Sequence, residues 1–159
     1  MKKIKIAKKQ ILQRKGEFGT KGYLVESGLL RSYSIDQKGK EHIFTFATEG
    51  WVLADNSPPD VPSALFIDAL EETVAVVFEK GEEKPSTQKL LNRLNVLQQR
   101  VIMLMSASAL ERYDHFVATY PGVVQRVPQR MIASYLGITP EALSKVKSER
   151  NRQNRTDKS

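Results

Sequence analysis

Apolar and polar residues alternate with a period of two through the first 80 positions, and that alternation reads as a run of short strands. The segments are KIKIA (3–7), QILQ (10–13), YLVES (23–27), LLRSYSI (29–35), EHIFTFA (41–47), WVL (51–53), ALFIDAL (64–70) and TVAVVF (73–78). Turn sequences separate them: KGEFGTKG (15–22), SG (27–28), DQKGK (36–40), TEG (48–50) and NSPPDVP (56–62). The two adjacent prolines of the last cannot continue a hydrogen-bonded ladder, so a loop lies there. Short antiparallel strands at this spacing predict a sandwich or barrel.

From Ser86 the period changes. Leu90, Leu94, Leu97, Val101 and Leu104 recur at spacings of 4, 3, 4 and 3, which predicts a heptad seam on one helix of about 20 residues. Leu91, Ile102 and Met105 fall off that seam and are expected to cover a second surface. Such a helix is expected to pack its own strands on one side and a second copy of the chain on the other. Ser108-Ala-Leu-Glu111 has the capping-box spacing, and the helix it opens is expected to reach Thr119 before Pro121 stops it.

The stretch VPQRMIASYLGITPEALSKVKSER (127–150) carries the most specific pattern. Gln129–Leu136 predicts a short helix with Ile132 and Leu136 inward, and Ala133 is small enough for a second helix to approach. Gly137 suits the left-handed conformation that ends a helix. Thr139 is a natural N-cap and Pro140 suits the first helical position, since the missing N–H has no intrahelical partner there. The next helix buries Leu143 and Val146 together with Ile138. A small residue, then a glycine four positions later between two short amphipathic helices, is the helix-turn-helix signature.

That second helix turns Pro140, Glu141, Ser144, Lys145 and Ser148 outward, where the core does not need them. A major groove admits such a helix with its N-terminal residues toward base edges. Pro140, Glu141, Ser144 and Lys145 are the expected base readers. Glu141 is suited to accept from a cytosine amino group and Lys145 to donate to guanine. Gln129, Arg130, Thr139, Lys147, Ser148, Arg150, Arg152 and Arg155 are the expected phosphate contacts, which fix register without reading sequence.

Charge adds a partner to this picture. The chain carries a net charge of +7 over 159 residues. Residues 1–22 hold eight basic groups and one acidic, residues 23–122 nine and fourteen, and residues 123–159 eight and three. Two basic ends around an acidic middle suit a polyanion. With no cysteine, disulfides, thiolate metal sites, iron–sulfur clusters and cysteine nucleophiles are excluded. His42 and His115 lie far apart in sequence, which argues against a histidine metal site, and no cofactor is expected. No apolar run approaches the roughly 18 residues of a membrane span, and the N-terminus lacks the apolar core of a signal peptide. The chain is therefore expected to be soluble and cytoplasmic. No GxSxG, HExxH, P-loop or paired-carboxylate pattern suggests an enzyme.

Taken together, KGEFGTKGYLVESGLLRSYSID, QKGKE, HIFTFATEGWVLAD and ALFIDAL resemble the cyclic-nucleotide-binding β-roll of the bacterial Crp/Fnr transcription regulators. Residues 86–105 resemble their dimer helix, and residues 127–150 their DNA-binding module. The resemblance implies an α+β fold: an antiparallel β-roll of jelly-roll type over 1–85, a dimerisation helix over 86–106, and a helical DNA-binding domain over 107–159 with its helix-turn-helix at 128–150. It implies a homodimer on double-stranded DNA, with an unknown small-molecule effector as a further possible partner. The β-hairpin wing that often follows the second helix is expected to be incomplete, the helices that usually precede the β-roll to be missing, and the tail NRQNRTDKS to fray.

The same resemblance locates an effector pocket at Asp55, in VLAD, and at Ser63 or Ala64, in PSAL. Family members that bind cyclic AMP place a carboxylate on the ribose and an arginine on the cyclic phosphate. No arginine occurs between Arg31 and Arg93. Without it the phosphate loses a charge-assisted pair worth about 1.5–3 kcal/mol, so ordinary affinity for cyclic AMP is not expected. The competing reading is a module that keeps this fold, has lost its effector site, and acts through protein contacts.

Overall fold

A computed structural model describes residues 2–58, 60–81 and 87–156, with side-chain detail for all of these except 89, 90, 92, 93 and 154–156. The chain divides into two compact units, Met1–Lys84 and Pro85–Ser159.

The first unit contains β1 (Lys2–Ile6), β2 (Ile11–Gln13), β3 (Lys21–Ser27), β4 (Leu30–Ile35), β5 (Glu41–Ala47), β6 (Val52–Ala54), β7 (Phe66–Ala69) and β8 (Thr73–Glu79). Each period-two segment of the sequence has become a strand. They form two four-stranded antiparallel sheets, ordered β1-β8-β3-β6 and β2-β7-β4-β5. Ile6, Tyr23, Val25, Leu30, Ala47, Leu53, Ile67, Ala69 and Ala75 build the core of this unit. Strand alternation selects them: Leu30 pairs with Ala47 on one side and Ala69 on the other, so the three share one face.

The opposite face of β4 carries Arg31 and Tyr33. Arg31 is buried and directly opposite Asp68 on β7. Its Nε and Nη2 donate to the two oxygens of Asp68 at 2.8 and 3.0 Å, and its Nη1 donates to Glu41 at 2.6 Å. The guanidinium also sits 4.0 Å from the Tyr33 ring centroid, and Tyr33 stacks on Phe66 at 5.3 Å. Burial on its own lowers the Arg31 pKa, but the bonds to Asp68 and Glu41 reverse this and raise it, so the cation is permanent. Between β3 and β4 the chain turns at Gly28, with φ +97. A Cβ there would lie 2.6 Å from both the Glu72 carbonyl oxygen and Thr73 Cα, so this turn requires glycine.

The second unit contains α1 (Thr87–Ser106), α2 (Ala109–Thr119), α3 (Gln129–Leu136) and α4 (Pro140–Thr156). Ser108 and Glu111 cap α2 reciprocally, as their spacing predicts. Phe116, Tyr120 and Tyr135 form an aromatic core with centroids 5.3–5.6 Å apart. Val123, Ile132, Leu136 and Leu143 are fully buried in the same unit. One expectation needs correcting. The segment after Arg150 does not fray at once, because α4 continues to Thr156. No glycine or proline interrupts NRQNRT, and arginine and glutamine are good helix formers. Residues 157–159 lie outside the described residues.

Candidate nucleic-acid interface

The geometry of the glycine turn follows its sequence closely. Gly137 adopts φ 66, ψ 32, and its N–H bonds back to Ser134 while that of Ile138 reaches the Ala133 carbonyl at 3.0 Å. This paired closure lets the chain reverse within three residues. Thr139 Oγ1 then accepts from the Ala142 N–H at 3.2 Å, capping α4 with Pro140 at its first position. Ala133, at 1 % exposure, faces inward where the helices approach. Leu143 and Val146 are buried, so the other side of α4 must face out.

Pro140, Glu141, Ser144, Lys145 and Ser148 are all exposed on that outward side, together with Glu149 and Arg152. The Ser144 hydroxyl donates to the Pro140 carbonyl at 3.1 Å, leaving its lone pairs outward. Gln129, Arg130 and Thr139 are exposed beside the start of α4. Three expected phosphate contacts, Gln129, Lys147 and Arg150, have other partners. Lys147 Nζ donates to Gln129 Oε1 at 3.0 Å and so joins α4 to α3. Arg150 Nε lies 2.6 Å from Asp114 Oδ1, with its guanidinium 5.6 Å from the Tyr113 ring centroid, and so joins α4 to α2. A cation held by a carboxylate has less charge to offer a phosphate. The Arg155 side chain lies outside the described residues.

α1 exposes many apolar side chains. Leu94 is 62 % exposed, Val101 54 % and Met105 80 %, and Leu91, Leu97 and Ile102 are exposed as well. Successive helical residues turn by about 100°. That rotation puts Leu97, Val101, Leu94, Met105, Leu91 and Ile102 within one arc of about 140°. The seam and the residues set apart from it thus lie on one arc, with the exposed Gln98 among them. Leu104 is half-buried, with its Cδ2 3.7 Å from where a Gly137 Cβ would stand, so it faces its own unit. The Leu90 side chain lies outside the described residues.

Asp55 and Ser63, two residues of the expected effector position, lie in the first unit and share a hydrogen-bonded cluster with Gln13. Asp55 and Ser63 are buried, whereas Ala64 is exposed. Gln13, also buried, sends Nε2 to Ser63 Oγ at 2.7 Å, to the Leu65 carbonyl at 3.1 Å and to Asp55 Oδ2 at 3.3 Å. The Ser57 N–H and hydroxyl both donate to Asp55 Oδ1 at 3.0 Å, and Lys80 Nζ donates to the Asp55 backbone carbonyl at 2.6 Å. Burial works to raise the Asp55 pKa, but the Ser63 and Ser57 hydrogen bonds and the Lys80 charge outweigh it and hold the carboxyl below its usual range. A Cβ on Gly19 would run into Gln13 Oε1 and Asp55 Cβ, so the loop lies directly on this cluster. Sequence reading missed Gln13. Its one signal is a polar residue at an inward position of a short strand.

Among the described residues, no cluster of three or more His, Asp or Glu could hold a metal, and no helix is long and apolar enough to cross a membrane.

Known proteins share this plan. The model of the family described as "Cyclic nucleotide-binding domain" matches residues 3–83. An "Anaerobic regulatory protein" of Aggregatibacter actinomycetemcomitans is 25 % identical over 170 residues, covering 91 % of this chain and 65 % of the relative. The "Nitrogen fixation regulation protein FixK" of Rhizobium meliloti is 25 % identical over 142 residues, covering 82 % and 66 %. The chain thus spans just under two thirds of the length of these curated relatives. Among solved structures, FixK2 from Bradyrhizobium japonicum superposes with a TM-score of 0.79 at 22 % identity, over 96 % of this chain and 85 % of that one. A transcriptional regulator of the CRP family from Thermus thermophilus, TTHB099, gives 0.68 at 19 % identity, over 97 % and 86 %.

Proposed function

This chain belongs to the cyclic nucleotide-binding domain family, and from that premise we propose a DNA-binding transcription regulator of Crp/Fnr type that acts as a homodimer. The observation that carries the reading is the outward side of α4. It presents Pro140, Glu141, Ser144 and Lys145 at the start of a helix whose opposite side buries Leu143 and Val146. Base edges are read by such N-terminal residues, and the helix dipole adds favourable potential toward phosphate. Arg130 and Arg152 are exposed beside that surface and supply phosphate contacts. The curated relatives carry regulatory names, which agrees with this assignment.

Salt and substitution test it. Two α4 helices with several phosphate contacts each should lose roughly 10³–10⁵ in DNA affinity between about 50 and 200 mM salt. Lys145→Ala should cost about 1–3 kcal/mol at one position of each half-site and relax the preference there. Arg152→Ala should weaken all sequences alike and lower the salt slope by about one. Binding of genomic DNA fragments that neither change touches would refute the reading. Arg150 is a poor choice for this experiment, because its loss also releases Asp114.

The β-roll in this reading does not respond to cyclic AMP. Gln13, Ser63 and Asp55 already satisfy one another where the nucleotide would have to enter, and displacing them leaves buried polar groups unpaired. Calorimetric titration with cyclic AMP should show no binding at micromolar ligand. A dissociation constant in the micromolar range or tighter would overturn this part of the assignment.

A further inference from the structure

Arg112 stands on α2 and bonds to the ends of two other helical segments. Its Nη2 donates to the Leu104 carbonyl at 2.8 Å, its Nε to the Ala107 carbonyl at 3.0 Å, and its Nη1 to the Leu136 carbonyl at 3.1 Å. Leu104 belongs to the last turn of α1, Ala107 follows that helix, and Leu136 ends α3.

None of these carbonyls receives a backbone N–H from four residues on. The Ser108 N–H, due to Leu104, goes instead to Glu111 Oε2 at 2.7 Å. Ala107 lies between α1 and α2, and the Glu111 N–H four residues on goes to Ser108 Oγ at 3.3 Å. Residue 140, due to Leu136, is a proline and has no N–H. Three carbonyls at or just beyond helix C-termini thus lack helical donors, and one guanidinium serves all three. These are also helix C-termini, where a cation is favoured by the dipole. Two contacts reinforce the same junction: the Arg100 guanidinium lies 4.2 Å from the Tyr135 ring centroid, and Leu104 packs beside Gly137.

We propose that Arg112 is the positioning residue that fixes the angle between the dimer helix α1 and the helix-turn-helix, and so sets the distance between the two α4 helices of the dimer. The proposal rests on the DNA-binding reading above. Arg112 touches no DNA in it. Its role is to make the dimer a rigid caliper rather than two tethered modules.

The absence of cysteine makes a direct test possible, because one cysteine introduced at the exposed Gln153 carries a spin label cleanly. In the wild-type dimer the label-to-label distance should be narrowly distributed. In Arg112→Met it should broaden while the protein remains a dimer, and Arg112→Lys, which keeps the charge but serves fewer carbonyls, should fall between. The companion measurement uses DNA duplexes enriched from genomic fragments, with the half-site spacing altered by one or two base pairs. Arg112→Met should bind the preferred spacing about 5–150-fold more weakly, the usual size of a coupling between sites. It should bind a single half-site as the wild type does and should lose the preference for one spacing. A narrow distance and an unchanged spacing profile in Arg112→Met would overturn the proposal. A wild-type protein without any spacing preference would sink the DNA-binding reading itself, whatever the distances show.

Discussion

Replacing both Leu94 and Leu97 with glutamate should turn the protein into a folded monomer that no longer holds a two-half-site operator. Both side chains are exposed on α1, so the change costs the isolated chain little, within about 0.5 kcal/mol for ordinary surface positions. In the proposed dimer the same positions are buried twice, once in each copy. Four leucines leave the interface, each worth about 1.5–3 kcal/mol when fully buried, and four carboxylates would have to be desolvated in their place. A half-site bound by one copy alone then lacks the second, linked contact, and avidity of this kind is worth about 10²–10⁴ in affinity. Sedimentation should give the mass of one chain, and the variant's duplex affinity should approach that for a single half-site. A variant that still sediments as a dimer would remove the exposed stripe from the account.

The second large effect belongs to the β-roll. Arg31→Met should destabilise it by about 3–5 kcal/mol, the cost of leaving one partner of a buried ion pair uncompensated. Asp68 is nearly as buried as Arg31, with side-chain exposures of 11 % and 7 %. Glu41 is 41 % exposed and can turn to water, so Asp68 carries the penalty. Thermal unfolding reads this directly, since each kcal/mol moves the midpoint of a unit this size by about 4–8 °C. The double change Arg31→Met with Asp68→Leu should recover most of the loss, because replacing both members of a buried pair with apolar side chains is often neutral or better. Equal midpoints for the single variant and the wild type would show that the pair does not hold the sheet.

These expectations draw on different depths of the sequence. The strands came from an alternation that any one segment displays by itself, and all eight formed. The turn at Gly137, the cap at Thr139 and the box at Ser108–Glu111 are equally local, because each closes within a few residues. The tail after Arg150 departs from its expected fraying for a related reason. Polar composition suggested fraying, whereas helix propensity over NRQNRT carried α4 to Thr156.

The amino-acid order alone therefore determined which segments are strands or helices and which side of α4 faces outward. Only the tertiary structure decided who partners whom across distance. Gln13 meets Ser63 over 50 positions, Arg31 meets Asp68 over 37, and Arg112 meets Leu136 over 24. Such pairs depend on strand register and helix crossing, which no short window encodes. A buried polar side chain must find its partner wherever the fold brings one. For that reason the Gln13–Asp55–Ser63 cluster, the restraint on Arg150 and the Arg112 junction became visible only once the chain was folded.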